Sequence, residues 1–372
     1  MVETAVGISA PIIIFAFDRA PYLERFCASL KAQEGVTLDQ SRIYLLQDGA
    51  VSAASGVRYA EDKAIADSVA AFRGVFPEGH VLQSPDNLGI AFNIQRGEKL
   101  AFETLKAETA YFFEDDLELG PAYLLMMERL RQALAPFPEV GYFAAYGDHR
   151  ATPDPERVRV VPLDHHWGFG LRRGAWRRIN AWLKPYLEII RRTDYPNRNH
   201  LAVYRWLEGQ EMAIDKSSQD AMKALACAQL GLARVMTDTC FGRYIGEKGA
   251  SFNERRFREM GYDRMTPVER GDLPIAPASA DSIAAILAQQ QAHFRTFRER
   301  DFEGFLERYA GRHWDPDRLL EREDVADLYR LLLDRLPEGE NIYEQYVGKT
   351  TVRRLRRIMF NSREFQGRNT RK

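Results

Sequence analysis

Continuous apolar runs alternate with segments of helical periodicity in the amino-terminal part of the chain. Unbroken apolar runs are typical of strands that helices cover on both faces, whereas apolar residues recurring every three or four positions indicate amphipathic helices. Pro11–Phe17 (PIIIFAF) is a continuous apolar run and Tyr111–Phe113 a short one, and strands are also predicted at Arg42–Gln47 (RIYLLQ) and His80–Gln83. This pattern predicts an α/β domain with a Rossmann-like, mixed but mostly parallel sheet flanked by helices.

Helices are predicted after the first and third of these strands along the chain, beginning near Pro21 and over Ile90–Leu105. Proline suits the first position of a helix because the amide it lacks has no partner there. A further helix is predicted after Pro121, and a strand over Val140–Tyr146. The segment Pro162–Trp176 (PLDHHWGFGLRRGAW) is rich in Gly, His and Trp, which predicts a loop shaped around a ligand.

The next segments are predicted to be helical or loop-like. Trp182–Leu207 is partly helical, and Ser217–Leu230 is a helix with hydroxyls as caps and Asp220 in its first turn. Gly242–Ser251 (GRYIGEKGAS) contains three glycines and two cations, which predicts a mobile loop.

Proline positions and changes in polarity predict three parts of the chain. Residues 1–260 form the α/β domain, and residues 261–315 form a linker followed by a long polar helix over Asp281–Tyr309. Residues 316–372 form a helical module with amphipathic periodicity.

Composition excludes several classes of protein. The chain has 372 residues, of which 45% are hydrophobic and 28% charged, and its formal net charge of -1 gives no global attraction to nucleic acid. Three scattered cysteines predict neither a disulfide framework nor a zinc site. No basic and apolar leader and no apolar run of about 20 residues are present, so we predict a cytoplasmic protein.

Acidic residues follow three of the predicted strands. Asp18 comes after the first strand and Asp48 after the second, and Glu114, Asp115 and Asp116 end the fourth. Parallel strands end at the same edge of a sheet, where ligands of open α/β folds bind. The sequence therefore predicts a polar site at this edge.

Three interpretations of the acidic triplet are open from the residues alone. The first is that the acids cap the helix near Pro121, which contributes about 0.3–1 kcal/mol. The second is a metal ion bound together with a nucleotide diphosphate, and the third is a two-metal phosphohydrolase, which needs more ligands than the sequence offers.

Several carboxylates and Arg19 converge on the same edge of the sheet, which favours the nucleotide site. There Asp48 would accept hydrogen bonds from a base or ribose, and Arg19 would contact phosphate or base. Neither a Walker loop nor G-x-G-x-x-G follows the first strand, which argues against P-loop and dinucleotide enzymes.

Eight motifs occur in an order that resembles inverting glycosyltransferases of the GT-A fold. The motifs are PIIIFAFDR, LLQDG, NLGIAFN, YFFEDDLEL, AAYGD, HHWGFGL, SSQDAMK and GRYIGEKGAS. They span Pro11 to Phe252 and resemble most the group of N-acetylglucosaminyltransferase I and protein O-mannose N-acetylglucosaminyltransferase. The carboxyl-terminal motifs YRLLLDR and MFNSREF resemble a small helical module of bacterial surface-polysaccharide and secreted proteins.

The resemblance implies roles for single residues. Asp116 would bind Mn²⁺ or Mg²⁺, and Asp220 would be the catalytic base. Other residues would bind the nucleotide sugar: Glu114 and Asp115 at ribose and sugar, Arg19 and Asp48 at the nucleotide, and Arg243 and Lys248 at the leaving diphosphate, under a loop that closes over it. The sequence departs from the enzymes that it resembles at Ser217-Ser218-Gln219-Asp220, where they have an aromatic residue and paired acids, and we expect no counterpart of the membrane anchor of the animal enzymes.

These implications predict a metal-dependent inverting glycosyltransferase, with UDP-N-acetylglucosamine as the expected donor. The acceptor would be a cell-surface glycan, a lipid-linked precursor or a protein. Two alternatives are an inactive GT-A-like scaffold in polysaccharide assembly and a nucleotidyltransferase, although DRAPYLER lacks the glycine-rich basic loop of the latter. Peripheral membrane contact and pairing of two chains through the carboxyl-terminal helices are also compatible with the sequence.

Several residues have both a structural and a functional interpretation. His165 and His166 fit an acceptor pocket or a loop better than a metal pair, because adjacent residues rarely bind one ion together. Aromatic residues nearby either stack on sugars or fill the core: Trp167, Phe169 and Trp176. A basic run is either a solvated helix face or a contact for anionic glycan or lipid: Arg353, Arg354, Arg356 and Arg357.

Overall fold

The computed structural model of the chain describes residues 5–247, 254–314 and 317–369. Its strands are β1 (Val6–Gly7), β2 (Ile12–Ala16), β3 (Val36–Thr37), β4 (Ile43–Gln47), β5 (His80–Gln83), β6 (Thr109–Glu114), β7 (Leu117–Leu119), β8 (Val140–Ala144), β9 (Val160–Pro162), β10 (Gly168–Arg172), β11 (Ala233–Thr237) and β12 (Gly242–Tyr244). Its helices are α1 (Ala20–Lys31), α2 (Asp62–Val75), α3 (Gly89–Lys99), α4 (Tyr123–Ala133), α5 (Arg173–Trp182), α6 (Lys184–Ile190), α7 (His200–Leu207), α8 (Gln219–Gln229), α9 (Glu254–Glu259), α10 (Ala280–Arg300), α11 (Phe302–Trp314), α12 (Arg322–Leu333), α13 (Glu340–Tyr346), α14 (Val352–Phe360) and α15 (Arg363–Asn369).

The core of the protein is an eight-stranded sheet in the order β5-β4-β2-β6-β10-β8-β11-β9. The pairs of β2 with β4 and β6, β4 with β5, and β8 with β11 are parallel. The pairs of β10 with β6 and β8, and of β11 with β9, are antiparallel. The predicted class, a mixed and mostly parallel α/β sheet with a carboxyl-terminal helical region, is thus confirmed.

Strand β10 corrects the prediction of a loop over Pro162–Trp176. This strand lies in the middle of the sheet, and α5 follows it directly. Its glycines permit close packing, since a Cβ atom at Gly170 would lie 2.3 Å from Phe143 Cζ and one at Gly168 2.5 Å from Leu117 Cδ2. Glycine lowers strand propensity, so the residues that allow this packing also weaken the sequence pattern that would predict a strand.

The predicted linker packs into the main core. Tyr262, Met265 and Leu273 are buried with the sheet residues in one hydrophobic cluster. The predicted long helix is divided into α10 and α11 at Asp301. On α10, Gln290 donates to the carbonyl of Arg234 and accepts from its amide, at 2.7 and 3.2 Å, so this helix is fixed against β11.

The helices α12 to α15 have a hydrophobic cluster of their own, which includes Leu320, Val325 and Met359. Polar contacts join this module to the main domain, among them His200 Nε2 with Glu323 at 2.7 Å. The region predicted as a helical module is therefore helical and has a separate small core. Among the described residues, no helix has both the length and the apolar character required to cross a bilayer.

Candidate functional site

Strand β6 delivers the acidic triplet to the carboxyl edge of the sheet. Its interior residues from Ala110 to Phe113 are buried, and Asp115 and Asp116 follow in the turn to β7 with only 3% and 4% exposure. Arg19 follows the neighbouring strand β2 and contacts the Asp115 carboxylate, while its Nη2 lies 3.0 Å from Asp116 Oδ2. The structure thus brings together three predicted site residues, of which Arg19 lies far from the other two in the sequence.

The acids outnumber the cation that faces them. Burial raises the pKa of Glu114 well above its usual value, and the charges of Asp116 and Asp220 raise it further. Burial also raises the pKa of Asp115, although Arg19 opposes this effect. For Arg19, burial lowers the pKa, but the two aspartates outweigh it and the net shift is upward. A site with this excess of carboxylate favours an additional cation.

Asp116 has an oxygen that is available to a ligand. Its Oδ1 atom is buried and has no hydrogen-bond partner among the described residues. Buried acceptors are almost always paired, so an unpaired one indicates a missing ion, water or ligand. No group of three or more His, Cys, Asp or Glu residues in the described part of the chain is arranged around one ion. The residues therefore fit a cation that takes most of its ligands from water and phosphate, as Mg²⁺ often does.

Gly246 lies against this aspartate. A Cβ atom there would be 2.8 Å from Asp116 Oδ2 and 2.3 Å from the Tyr244 hydroxyl. The adjacent amide of Ile245 donates to the Asp116 carbonyl at 2.8 Å. The segment after β12 is thus held directly against the acids.

We expect Gly246→Ala to lower the free energy of unfolding by about 1–3 kcal/mol, because the methyl group forces Tyr244 or Asp116 to move. Denaturant unfolding measures this change. Gly174→Ala is the matched control, since a methyl group at that position of helix α5 would meet no neighbouring atom within 4 Å; it should stabilise by about 0.5–1 kcal/mol. Equal effects of the two substitutions would contradict the close approach at Gly246.

Asp220 lies at the start of α8, near the acids. The Ser218 side chain caps this helix by accepting from the Ala221 amide at 3.4 Å, and Gln219 Nε2 contacts the Asp220 carboxylate. About half of the Asp220 side chain is exposed. Surrounding protein atoms raise its pKa, and Lys223 and Arg234 oppose the rise. The carboxyl group is therefore accessible, and Lys223 and Arg234 contribute positive charge near it.

His166 lies beside Asp220, a juxtaposition that the sequence did not identify. Its Nδ1 lies 3.7 Å from Asp220 Oδ1, and both ring nitrogens are buried without hydrogen-bond partners among the described residues. Burial lowers the pKa of His166 well below its usual value, helped by Arg234 and Lys223, so the imidazole is neutral. The neighbouring His165 instead stacks on Trp167, with ring centroids 4.3 Å apart. The two histidines therefore face different surroundings.

The three aromatic residues with open roles belong to the core. Trp167 is covered on its two faces by His165 and Tyr244, whose ring centroids lie 4.3 and 4.2 Å away. Phe169 packs on Phe112, and Trp176 packs on Phe102. These contacts leave no free ring face on Trp167 for stacking on a sugar.

Asp48 is buried and organises the loop before α3. Its carboxylate accepts from the amides of Leu88 at 2.8 Å and of Gly49 and Gly89 at 3.0 Å. A Cβ atom at Gly89, which has a positive φ of 72°, would lie 2.9 Å from Tyr195 Cβ. Tyr195 in turn accepts from the Gln219 amide at 2.8 Å. Asp48 thus supports a chain of contacts that leads to Asp220, and direct contact with a nucleotide stays a prediction.

One of the two predicted leaving-group cations, Arg243, is described by the structure, and it lies outside the acidic cluster. Arg243 binds Glu118, with Nη2 2.7 Å from Oε2, and Arg25 shares this glutamate at 2.8 Å. The structure therefore does not bring Arg243 into the acidic cluster. It lies on β12 next to Tyr244, whose side chain points toward Asp116 instead. Lys248 lies outside the described residues, as does most of the predicted loop after β12.

Comparisons with known proteins leave the family of this chain open. No protein-family model and no curated protein matches it. Similar solved structures include S. aureus TarS 1–349, with 12% identity over 80% of this chain and 74% of that chain and a TM-score of 0.38. The galactosyltransferase LgtC in complex with donor and acceptor sugar analogs is similar at 13% identity over 69% of this chain and 97% of that chain, with a TM-score of 0.30. CMP:2-keto-3-deoxy-manno-octonic acid synthetase complexed with CTP is similar at 12% identity over 47% of this chain and 78% of that chain, with a TM-score of 0.28. At TM-scores below 0.5, these similarities do not decide between activities.

Proposed function

We propose that the protein is a GT-A-type glycosyltransferase that transfers a sugar from a nucleotide sugar to a hydroxyl group with inversion. One observation carries the proposal: an unpaired buried oxygen of Asp116 and the half-exposed carboxylate of Asp220 lie at the same edge of the sheet, linked electrostatically through Glu114. Asp116 would bind a metal ion that also binds the diphosphate, and Asp220 would accept the proton of an attacking hydroxyl. The donor we propose is UDP-N-acetylglucosamine, and the acceptor is a cell-surface glycan, a lipid-linked precursor or a protein.

Asp116 is the residue that would hold Mn²⁺ or Mg²⁺. Such a cation would neutralise the negative charge that develops on the departing nucleoside diphosphate. Glu114 and Asp115 would accept hydrogen bonds from ribose and sugar hydroxyls. Arg19, fixed by Asp115 and Asp116, orients both carboxylates and contributes positive charge near the phosphates.

Asp220 would act as the general base. Its carboxylate takes the proton of the acceptor hydroxyl while that oxygen forms a bond to the anomeric carbon and the bond from this carbon to the diphosphate oxygen breaks. A positioned base typically contributes about 10²–10⁴-fold to the rate. The neutral His166 fits a hydrogen bond to Asp220 or to the bound sugar, because its two nitrogens have no other described partner.

Thermal unfolding with UDP, GDP and CMP, each with and without Mn²⁺, tests the donor site. A nucleotide at 100 times its Kd adds about 2.7 kcal/mol to the stability of the folded state, which we expect to raise the Tm by about 4 °C for a domain of this size. We expect a metal-dependent shift with UDP. The absence of any shift with all three nucleotides would contradict the proposal and favour a scaffold without catalysis.

Asp116→Asn should remove the metal-dependent part of the UDP shift, since an amide is a much weaker ligand for a hard cation than a carboxylate. The same unfolding measurement detects the loss. Asp263→Asn is the control, because Asp263 is exposed and lies in a separate element, the short helical turn Tyr262–Arg264. A full Mn²⁺-dependent shift in the Asp116→Asn protein would assign the metal to another residue.

A further inference from the structure

A strongly cationic cleft lies between α3, with the π-helical turn Leu100–Thr104 that extends it, and the helices α5 and α6. Its volume is about 730 Å³. Five exposed cations and two acids line it: Lys99, Lys106, Arg177, Lys184 and Arg191, with Glu103 and Glu188. Within the described ranges, none of the five cations forms an ion pair, so their charge is available to a ligand.

The wall of this cleft contains a buried polar group without a partner. Trp176 lines the cleft and is only 4% exposed, and its indole N–H has no acceptor among the described residues. In the same cleft, Gln95 Nε2 reaches Asn180 Oδ1 at 3.4 Å and joins the two sides. An unpaired buried donor in a cationic wall indicates a ligand with hydrogen-bond acceptors.

A second cavity continues the first toward the candidate active site. Its volume is about 680 Å³, and it shares Gln95, Lys99 and Arg191 with the first cavity. It extends to Leu88, whose amide donates a hydrogen bond to Asp48, and to Tyr195. The Tyr195 hydroxyl accepts a hydrogen bond from the amide of Gln219, the residue before Asp220. We call the two adjoining cavities the α3 groove. Each has the size of a small-molecule site, so together they suit an extended ligand.

We propose that the α3 groove binds an anionic glycan chain and leads its end toward Asp220 as the acceptor. The first cavity favours a polyanion because its five unpaired cations outnumber its two acids along a concave surface, which focuses their positive potential. The second cavity adds Asp86 and Asp194, so the positive charge is concentrated at the end of the groove that is farther from Asp220. A concave groove also excludes a flat lipid surface, whereas a chain can follow it. The identification of the ligand as the acceptor rests on the proposed transferase function; binding of the anionic chain does not.

Fluorescence anisotropy with labelled oligogalacturonate tests the groove, with polyphosphate, neutral dextran and single-stranded DNA as competitors. We expect Arg177→Ser/Lys184→Ser to weaken binding about threefold to tenfold, since each exposed ion pair contributes modestly. Binding should also weaken as salt rises. Arg354→Ser/Arg356→Ser, which removes the same charge from the exposed face of α14, should leave the affinity unchanged.

Competition distinguishes the possible ligands. Competition by unlabelled oligogalacturonate but not by neutral dextran supports the proposal, whereas stronger competition by polyphosphate than by the acidic glycan would assign the groove to a polyanion that is not a glycan. Equal loss of affinity in the two double variants, competition by DNA as strong as by the glycan, or no binding of either acidic polymer would overturn it.

Nucleotide binding separates this inference from the proposed function. Arg177→Ser/Lys184→Ser should keep the full UDP and Mn²⁺ shift in Tm, because the substituted residues do not contact the acidic triplet. A protein that binds UDP but no acidic polymer would retain the transferase proposal and lose the groove. A protein that binds the acidic polymer through the groove but binds no nucleotide would retain the groove and overturn its role in positioning an acceptor.

Discussion

Asp220→Asn is expected to lower the rate of sugar transfer about 10²–10⁴-fold while leaving nucleotide binding nearly unchanged. The amide keeps the shape of the side chain and cannot take the acceptor proton. Asp220 lies at the start of α8, whereas the metal-binding candidate Asp116 follows β6, so the donor site keeps its residues in this variant. Single-turnover kinetics with saturating donor measure the chemical step, and the UDP-dependent shift in Tm measures donor binding.

Asp215→Asn is the matched control for this substitution. Asp215 is exposed and precedes α8 by a few residues, and the hydrogen bond that it accepts from the Tyr204 hydroxyl goes to its backbone carbonyl. Transfer should proceed at the original rate in this variant. Loss of UDP binding together with transfer in the Asp220→Asn protein would show that Asp220 supports the donor site and is not the base.

The pH profile offers a second test of Asp220. About half of its side chain is exposed, but the surrounding protein atoms still raise its pKa, and the cations Lys223 and Arg234 oppose the rise, with a net upward shift. Glu114 and the neutral His166 also face it. A base must be deprotonated, so transfer should decline as the pH falls through this raised pKa, above the value of about 3.9 for an unperturbed aspartate. The residual activity of the Asp220→Asn protein should not show this decline at low pH.

Lys223→Met is expected to lower the free energy of unfolding by about 3–5 kcal/mol. Lys223 Nζ lies 2.5 Å from Glu98 Oε1, and the side chains are only 7% and 6% exposed. Removing the lysine leaves a buried carboxylate without its counter-ion, which costs far more than the pair contributes. Urea unfolding measures the loss.

The double variant Lys223→Met/Glu98→Met separates charge from packing. Replacing both members of a buried ion pair with apolar residues of similar size is often neutral or stabilising, so most of the lost stability should return. Lys63→Met is the surface control, since its pair with Asp67 is largely exposed and its loss should cost less than about 1 kcal/mol. Equal destabilisation in the single and double variants would attribute the effect to the lysine's packing.

The sequence predicted those features of the fold that depend on local patterns. Strands β2, β4 and β6 follow largely apolar runs, because a strand covered on both faces has no polar side. The Ser218 cap and the position of Asp220 in the first turn of α8 were also predicted, since capping depends on neighbours in the chain. Strand β10 was missed because its packing against Phe143 requires glycine, which the sequence signals as a loop.

What the sequence by itself determined is the α/β class and the delivery of acids to one edge of the sheet, because both depend on residues close together in the chain. Tertiary structure alone decided which side chains meet there. It paired Arg19 with Asp115 and placed His166 next to Asp220. It also directed the Asp48 carboxylate to backbone amides and paired Arg243 with Glu118. Such contacts join residues from different elements, and their distances follow from strand order and helix packing, which no local pattern of residues specifies.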